Sequence, residues 1–136
     1  MTGLTVERVG EHEFVGRNER GATVRIGRSG RPDSFSPGEL LQVATAACAA
    51  VTVEQLVTRR AGDDAELVAV ADASRSPDGR EYDVIRVTLL TDDSFLGLLD
   101  DRTRERVVRA MRTAVERECT VSRTVERGGR VELEIR

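Results

Sequence analysis

The chain has no lysine and no tryptophan, one histidine and only two cysteines among its 136 residues. Without lysine, a Schiff-base mechanism and a phosphate-cradling P-loop are both excluded, because each needs that amine. All 21 basic residues are therefore arginine. The single histidine, His12, falls in a surface-type strand and reads as solvated, so no Cys-His or Ser-His-Asp chemistry is built on it. Four aromatics, Phe14, Phe35, Phe95 and Tyr82, are too few for a nucleic-acid stacking platform. A net charge of −3 and a pI near 5.3 argue the same way, so no nucleic-acid partner is expected. Long hydrophobic runs are missing as well. The longest, Leu40 to Val53, is shorter than a membrane span and is broken by Gln42, Thr45 and Thr52. The start, Met1 to Arg8, has no apolar signal core. The expectation is a cytoplasmic protein with no membrane partner, whose cysteines stay reduced.

What is there is enough for one domain, residues 1–136, with a modest core: 39% of residues are hydrophobic and 33% charged. Burial against a second subunit fits that balance. Residues 4–9, 12–17 and 22–28 are short and β-prone, and read as an antiparallel meander. Ser36, Pro37 and Glu39 form a helix-start signature: an N-cap, a proline at the first helical position and the acid of a capping box. From Leu40 to about Arg60 the pattern is apolar nearly all round, which predicts a long central buried helix closed by Gly62. Residues 67–75 and 82–91 read as a strand pair, with Ile85, Val87 and Leu89 on one face and Arg86 and Thr88 on the other. A second helix is predicted over roughly 100–118, with Val108, Met111 and Val115 inward and Arg102, Arg106, Arg109 and Arg112 outward. A final hairpin is predicted from 120–126 and 130–136 across Gly128-Gly129. The order βββ-α-ββ-α-ββ is segregated rather than alternating, hence α+β.

Cys48 and Cys119 are 71 residues apart, which rules out a CxxC redox motif and zinc-finger spacing. Cys48 lies mid-helix, where no helix N-terminus lowers its pKa, so activation needs a cation from another element. Cys119 follows a helix C-terminus, whose dipole opposes a thiolate. On this reading they are either two inert core thiols or one reactive pair joined by the fold. Glu39 is nine residues from Cys48, about 13.5 Å along a helix axis at 1.5 Å per residue, and its capping role is the simpler account. Asp92-Asp93 and Asp100-Asp101 read as turn and helix-entry charges. The arginine face of the second helix reads as solvated, with Glu105, Glu116 and Glu118 as partners.

Three segments together resemble the OsmC/Ohr family of thiol-dependent hydroperoxide reductases, in its OsmC-like branch. They are Ser36-Pro37-Gly38-Glu39-Leu40-Leu41, Ala46-Ala47-Cys48, and Cys119-Thr120-Val121-Ser122-Arg123-Thr124. The resemblance implies an intertwined α+β homodimer with active sites at the subunit interface. It implies that Cys48 is the peroxidatic cysteine and Cys119 the resolving one, acting on organic hydroperoxides in oxidative stress defence. A dithiol, either a lipoyl protein or a small thiol, would return the pair to thiols, and no metal or bound cofactor is needed. It further implies an arginine that steadies the Cys48 thiolate, with Arg17 the counterpart and Arg20 the fallback, and an acid that orients that arginine. The family acid directly follows the proline, where this chain has Gly38; the acid present is Glu39, one position later. Thr120 likewise replaces a proline. The alternative implied by these departures is a non-enzymatic redox or stress-response binding module on the same fold.

Overall fold

The computed structural model describes residues 3–136. The chain forms two compact units, the first running to Val43 and the second spanning Ala44–Arg136.

In the first unit, β1 (Thr5–Gly10), β2 (Glu13–Arg17) and β3 (Thr23–Gly27) form the expected antiparallel meander in the order β1-β2-β3. The β1–β2 turn is made by His12 at a left-handed φ of 58°. The β2–β3 turn is organised by Asn18, whose Oδ1 accepts from the N–H groups of Arg20 and Ala22 at 3.0 Å each. Beyond β3 the chain folds back: Gly27 N–H donates to the Phe35 carbonyl at 2.9 Å, and Phe35 N–H to that of Arg25 at 3.0 Å. An ion pair between Arg31 and Glu13 ties this loop to β2. These bonds bring Ser36 to the start of α1 (Pro37–Ala61), where the capping box forms as read. Glu39 N–H donates to Ser36 Oγ at 3.1 Å, and Ser36 N–H donates to Glu39 Oε1 at 3.0 Å.

In the second unit, α1 ends where Gly62, at φ +90°, donates its N–H to the Thr58 carbonyl at 2.8 Å. β4 (Leu67–Arg75) and β5 (Tyr82–Thr91) form an antiparallel pair with Ala71 opposite Val87 and Ala69 opposite Leu89. That apolar set shares one face, while Asp72 and Arg86 pair on the other, 3.8 Å apart. A 3₁₀ turn at Leu96–Leu98 leads into α2 (Asp101–Glu118). Asp100 caps α2 by accepting from Thr103 N–H at 2.8 Å. Arg104 fastens the 3₁₀ turn to α2, donating to the carbonyls of Leu96 and Leu99 at 3.1 Å each. The core of this unit is Val53 and Val57 of α1, Phe95, and Val107 and Met111 of α2.

Four expectations need correction. The C-terminal hairpin is not formed: Thr120–Arg127 is a third helix, α3, and residues 130–136 have no strand partner among the described residues. The β-branched Thr120, Val121, Thr124 and Val125 invite a strand reading. However, Val121 and Val125 also stand one helical turn apart, and Gly128, at φ +71°, supplies a left-handed helix stop. With 120–127 helical, 130–136 has lost the neighbour that a hairpin required. Secondly, Cys119 opens a helix instead of a strand. Thirdly, α1 is not buried all round within one chain. Thr45, Ala46, Ala49, Val53 and Val57 are buried along one stripe, while Val51 is 73% exposed. Finally, the inward face of α2 passes through Val107, leaving Val108 exposed. By length and composition alone, α1 also suffices to cross a membrane. Its Val53 and Val57 pack into the core cluster, as a core helix does.

Candidate functional site

Two of the four residues singled out from the sequence meet. Cys48, half-buried on α1, hydrogen bonds through its thiol to the sulfur of Cys119, which is fully buried. Both cysteines are free thiols. Thr52, one turn further along α1, donates its hydroxyl to the Cys48 carbonyl at 2.7 Å, fixing the local helix.

The setting of Cys119 follows from its place at a helix junction. Its N–H donates to the Val115 carbonyl at 3.0 Å and closes α2. Its carbonyl accepts from Arg123 N–H at 3.0 Å and opens α3. Arg123 in turn donates to the Arg117 carbonyl, satisfying part of the C-terminal end of α2. The Cys119 sulfur faces α3. It accepts from Ser122 N–H at 3.4 Å, as an N-cap side chain does, and lies 3.1 Å from Ser122 Oγ.

The electrostatic expectation for Cys119 is therefore reversed. The sulfur sees the positive end of α3, not the negative end of α2. Burial pushes the Cys119 thiol up. Hydrogen bonds with the Cys48 thiol and the Ser122 hydroxyl, and from the N–H groups of Ser122 and Val121, outweigh it, and the net displacement is below the ordinary thiol value. No formal charge is among these causes; hydrogen bonding alone does it.

The other two residues lie in the first unit. Arg17 ends β2, paired with Thr5 and Thr23, and is exposed; Arg20 is exposed in the following turn. Glu39 is committed to the capping box, and the Ser36 N–H and hydroxyl hold its carboxyl below the usual range. Gly38 lies in the first turn of α1, its carbonyl accepting from Gln42 Nε2 at 3.5 Å. Among the described residues no group of three or more His, Cys, Asp or Glu side chains is placed to hold a metal ion. Ser122 is the residue that sequence reasoning passed over. Its signal was present: it follows Cys119 by three, the spacing from an N-cap to the amide it receives.

Fold and site together define a small α+β protein with two neighbouring free thiols, one in a central helix and one at a helix junction. The model of the OsmC-like protein family matches residues 30–134, a span containing α1, α2, α3 and both cysteines. The chain belongs to the OsmC-like family. It is 40% identical over 135 residues to an uncharacterised protein of Mycobacterium tuberculosis (strain H37Rv), covering 99% of this chain and 96% of the relative. The fold resembles a hypothetical protein from Aquifex aeolicus, with TM-score 0.70, 16% identity, and coverage of 94% of this chain and 89% of that one. It also resembles a putative osmotic stress induced and detoxification response protein from Psychrobacter arcticus: TM-score 0.67, 19% identity, 91% and 88% covered. The organic hydroperoxide resistance protein OhrB of Bacillus subtilis matches with TM-score 0.53, 19% identity, and 95% and 92% covered.

Proposed function

We propose that the protein is a cytoplasmic, thiol-dependent reductase of organic hydroperoxides that serves in oxidative stress defence. The observation that carries this reading is the hydrogen bond between Cys48 and Cys119, two free thiols of one chain. Family membership supports it, as does likeness in fold to a protein named for organic hydroperoxide resistance.

In this reading the Cys48 thiolate attacks the terminal oxygen of the hydroperoxide. The O–O bond breaks, the alkoxide leaves and takes a proton as the alcohol, and Cys48 becomes a sulfenic acid. The Cys119 thiolate then attacks the Cys48 sulfur, expelling hydroxide that is protonated to water, and a disulfide remains. A dithiol, a lipoyl protein or small thiol, reduces that disulfide by exchange. Arg17 is assigned to steady the Cys48 thiolate, with Arg20 as the alternative. A homodimer completes the site, and the chemistry needs neither metal nor bound cofactor.

Organic hydroperoxide added to the reduced protein is expected to give one intramolecular Cys48–Cys119 linkage by mass spectrometry. Cys48→Ser removes all turnover, while Cys119→Ser permits a single oxidation event that ends in sulfenic acid. An unoxidised Cys48 under the same treatment refutes the assignment. Gly38 at the family acid position, together with Glu39 held in the capping box, favours a second reading: a non-enzymatic redox or stress-response binding module. A disulfide that forms once but is never turned over by any dithiol selects that reading.

A further inference from the structure

The proposed reaction uses the two sulfurs and leaves Ser122 without a role, yet Ser122 touches the Cys119 sulfur twice. The sulfur accepts from the Ser122 N–H at 3.4 Å and lies 3.1 Å from its hydroxyl oxygen. In the thiol form the S–H donates to Ser122 Oγ. On ionisation the hydroxyl turns and donates to the sulfur, because a serine O–H serves either way. The groups facing this sulfur are the Cys48 thiol from α1 and the amides of Val121 and the amide and hydroxyl of Ser122 from α3. The sulfur is also fully buried, so water does not stand in for a missing donor. Only the Ser122 hydroxyl can be removed from this seat without deleting a cysteine or rebuilding the backbone.

We propose that Ser122 is a positioning residue that seats Cys119 as the attacking thiolate, and so sets how fast the sulfenic acid at Cys48 is closed to a disulfide. This rests on the hydroperoxide reductase reading for the step it serves, though not for the ionisation it controls. Ser122 does not touch the hydroperoxide. It acts through the Cys119 sulfur, with the α3 N-terminus behind it.

The consequence has a particular shape. Losing a hydrogen bond to an ionised group lowers the thiolate fraction of Cys119 by about tenfold at pH values below its titration. The more basic thiolate is also the better nucleophile, by roughly threefold for that change, since reactivity rises with about the 0.4–0.5 power of basicity. Ser122→Ala is therefore expected to close the disulfide about threefold more slowly at neutral pH, and about threefold faster at alkaline pH where Cys119 is ionised in both proteins. A variant whose sulfur is merely misplaced is slow at every pH.

The first measurement is the ultraviolet absorbance of the thiolate against pH in the reduced Cys48→Ser protein, with and without Ser122→Ala. It needs no peroxide. Ser122→Ala should move the Cys119 titration upward and Ser122→Thr, which keeps the hydroxyl, should restore it. An unmoved titration overturns the proposal. The second measurement is the rate of disulfide closure against pH after a pulse of organic hydroperoxide, in the native protein and in Ser122→Ala. Profiles that cross support it; a rate reduced by one factor throughout, or unchanged, overturns it. Should the titration move while hydroperoxide yields no disulfide, the seat stands and the reductase reading fails. Should Ser122→Ala lose helical circular dichroism, Ser122→Val, which matches threonine in shape but lacks the hydroxyl, replaces it in both measurements against Ser122→Thr.

Discussion

Ser36 and Glu39 exchange two hydrogen bonds at the start of α1, and both were legible in the sequence because a capping box is a local device. Ser36→Ala is expected to cost about 1 kcal/mol, read as a lower denaturant midpoint at unchanged slope. Glu39 has its pKa depressed by the Ser36 N–H first and the Ser36 hydroxyl second. The folded value lies below the unfolded one, so its contribution is complete above the unfolded carboxylate range and is lost as pH falls through the folded value. Glu39→Gln should flatten that part of the acid stability curve. The turn aspartates Asp78 and Asp92 and the capping Asp100, also depressed, keep their own share. Cys119 shows the limit of reading single residues. Its neighbours in sequence placed it behind a helix C-terminus, and that much is true. Which terminus its sulfur faces depended on whether the next eight residues were strand or helix.

The elements divide along similar lines. β4 and β5 stand at the residues expected, because the alternation of Ile85, Val87 and Leu89 with Arg86 and Thr88 and the Ser76-Pro77-Asp78-Gly79 turn are local signals. Thr120–Arg127 went the other way. Its β-branched residues favour a strand by propensity, a preference that spans only about 1 kcal/mol and yields to context. Here the context is the Cys119 cap, the Gly128 stop and the Arg123 contact with the last turn of α2. The core cluster places its largest side chain, Phe95, outside any helix or strand, in the loop before the 3₁₀ turn. No periodicity marks a loop residue as core, so Phe95 was not legible as one. Phe95→Ala is expected to cost roughly 3–5 kcal/mol, a large share of a typical domain's stability of about 5–15 kcal/mol. Thermal unfolding by circular dichroism measures it.

At the scale of the molecule, the exposed apolar surface asks for cover. Val131, Leu133 and Ile135 alternate with charged residues over 130–136 and are 93%, 84% and 86% exposed, while Val51 projects from α1. Patches of this kind mark interaction surfaces. The proposed homodimer accounts for them, and it predicts unfolding midpoints that rise with protein concentration and a dimer mass by light scattering. A monomer whose midpoint is independent of concentration removes the dimer from the reading.

The sequence by itself determined the α+β class, the order of elements as far as α2, the pairings within β1–β3 and between β4 and β5, the capping box and the resemblance carried by its two cysteine motifs. Each is a matter of spacing over a few residues, where backbone geometry leaves little choice. Only the tertiary structure decided that Cys48 and Cys119 hydrogen bond across 71 positions of chain, and that the Cys119 sulfur lies on the positive end of α3. Those depend on how helices pack and on a marginal choice between helix and strand. Such choices are settled by burial and by partners far away in the sequence, which no local pattern records.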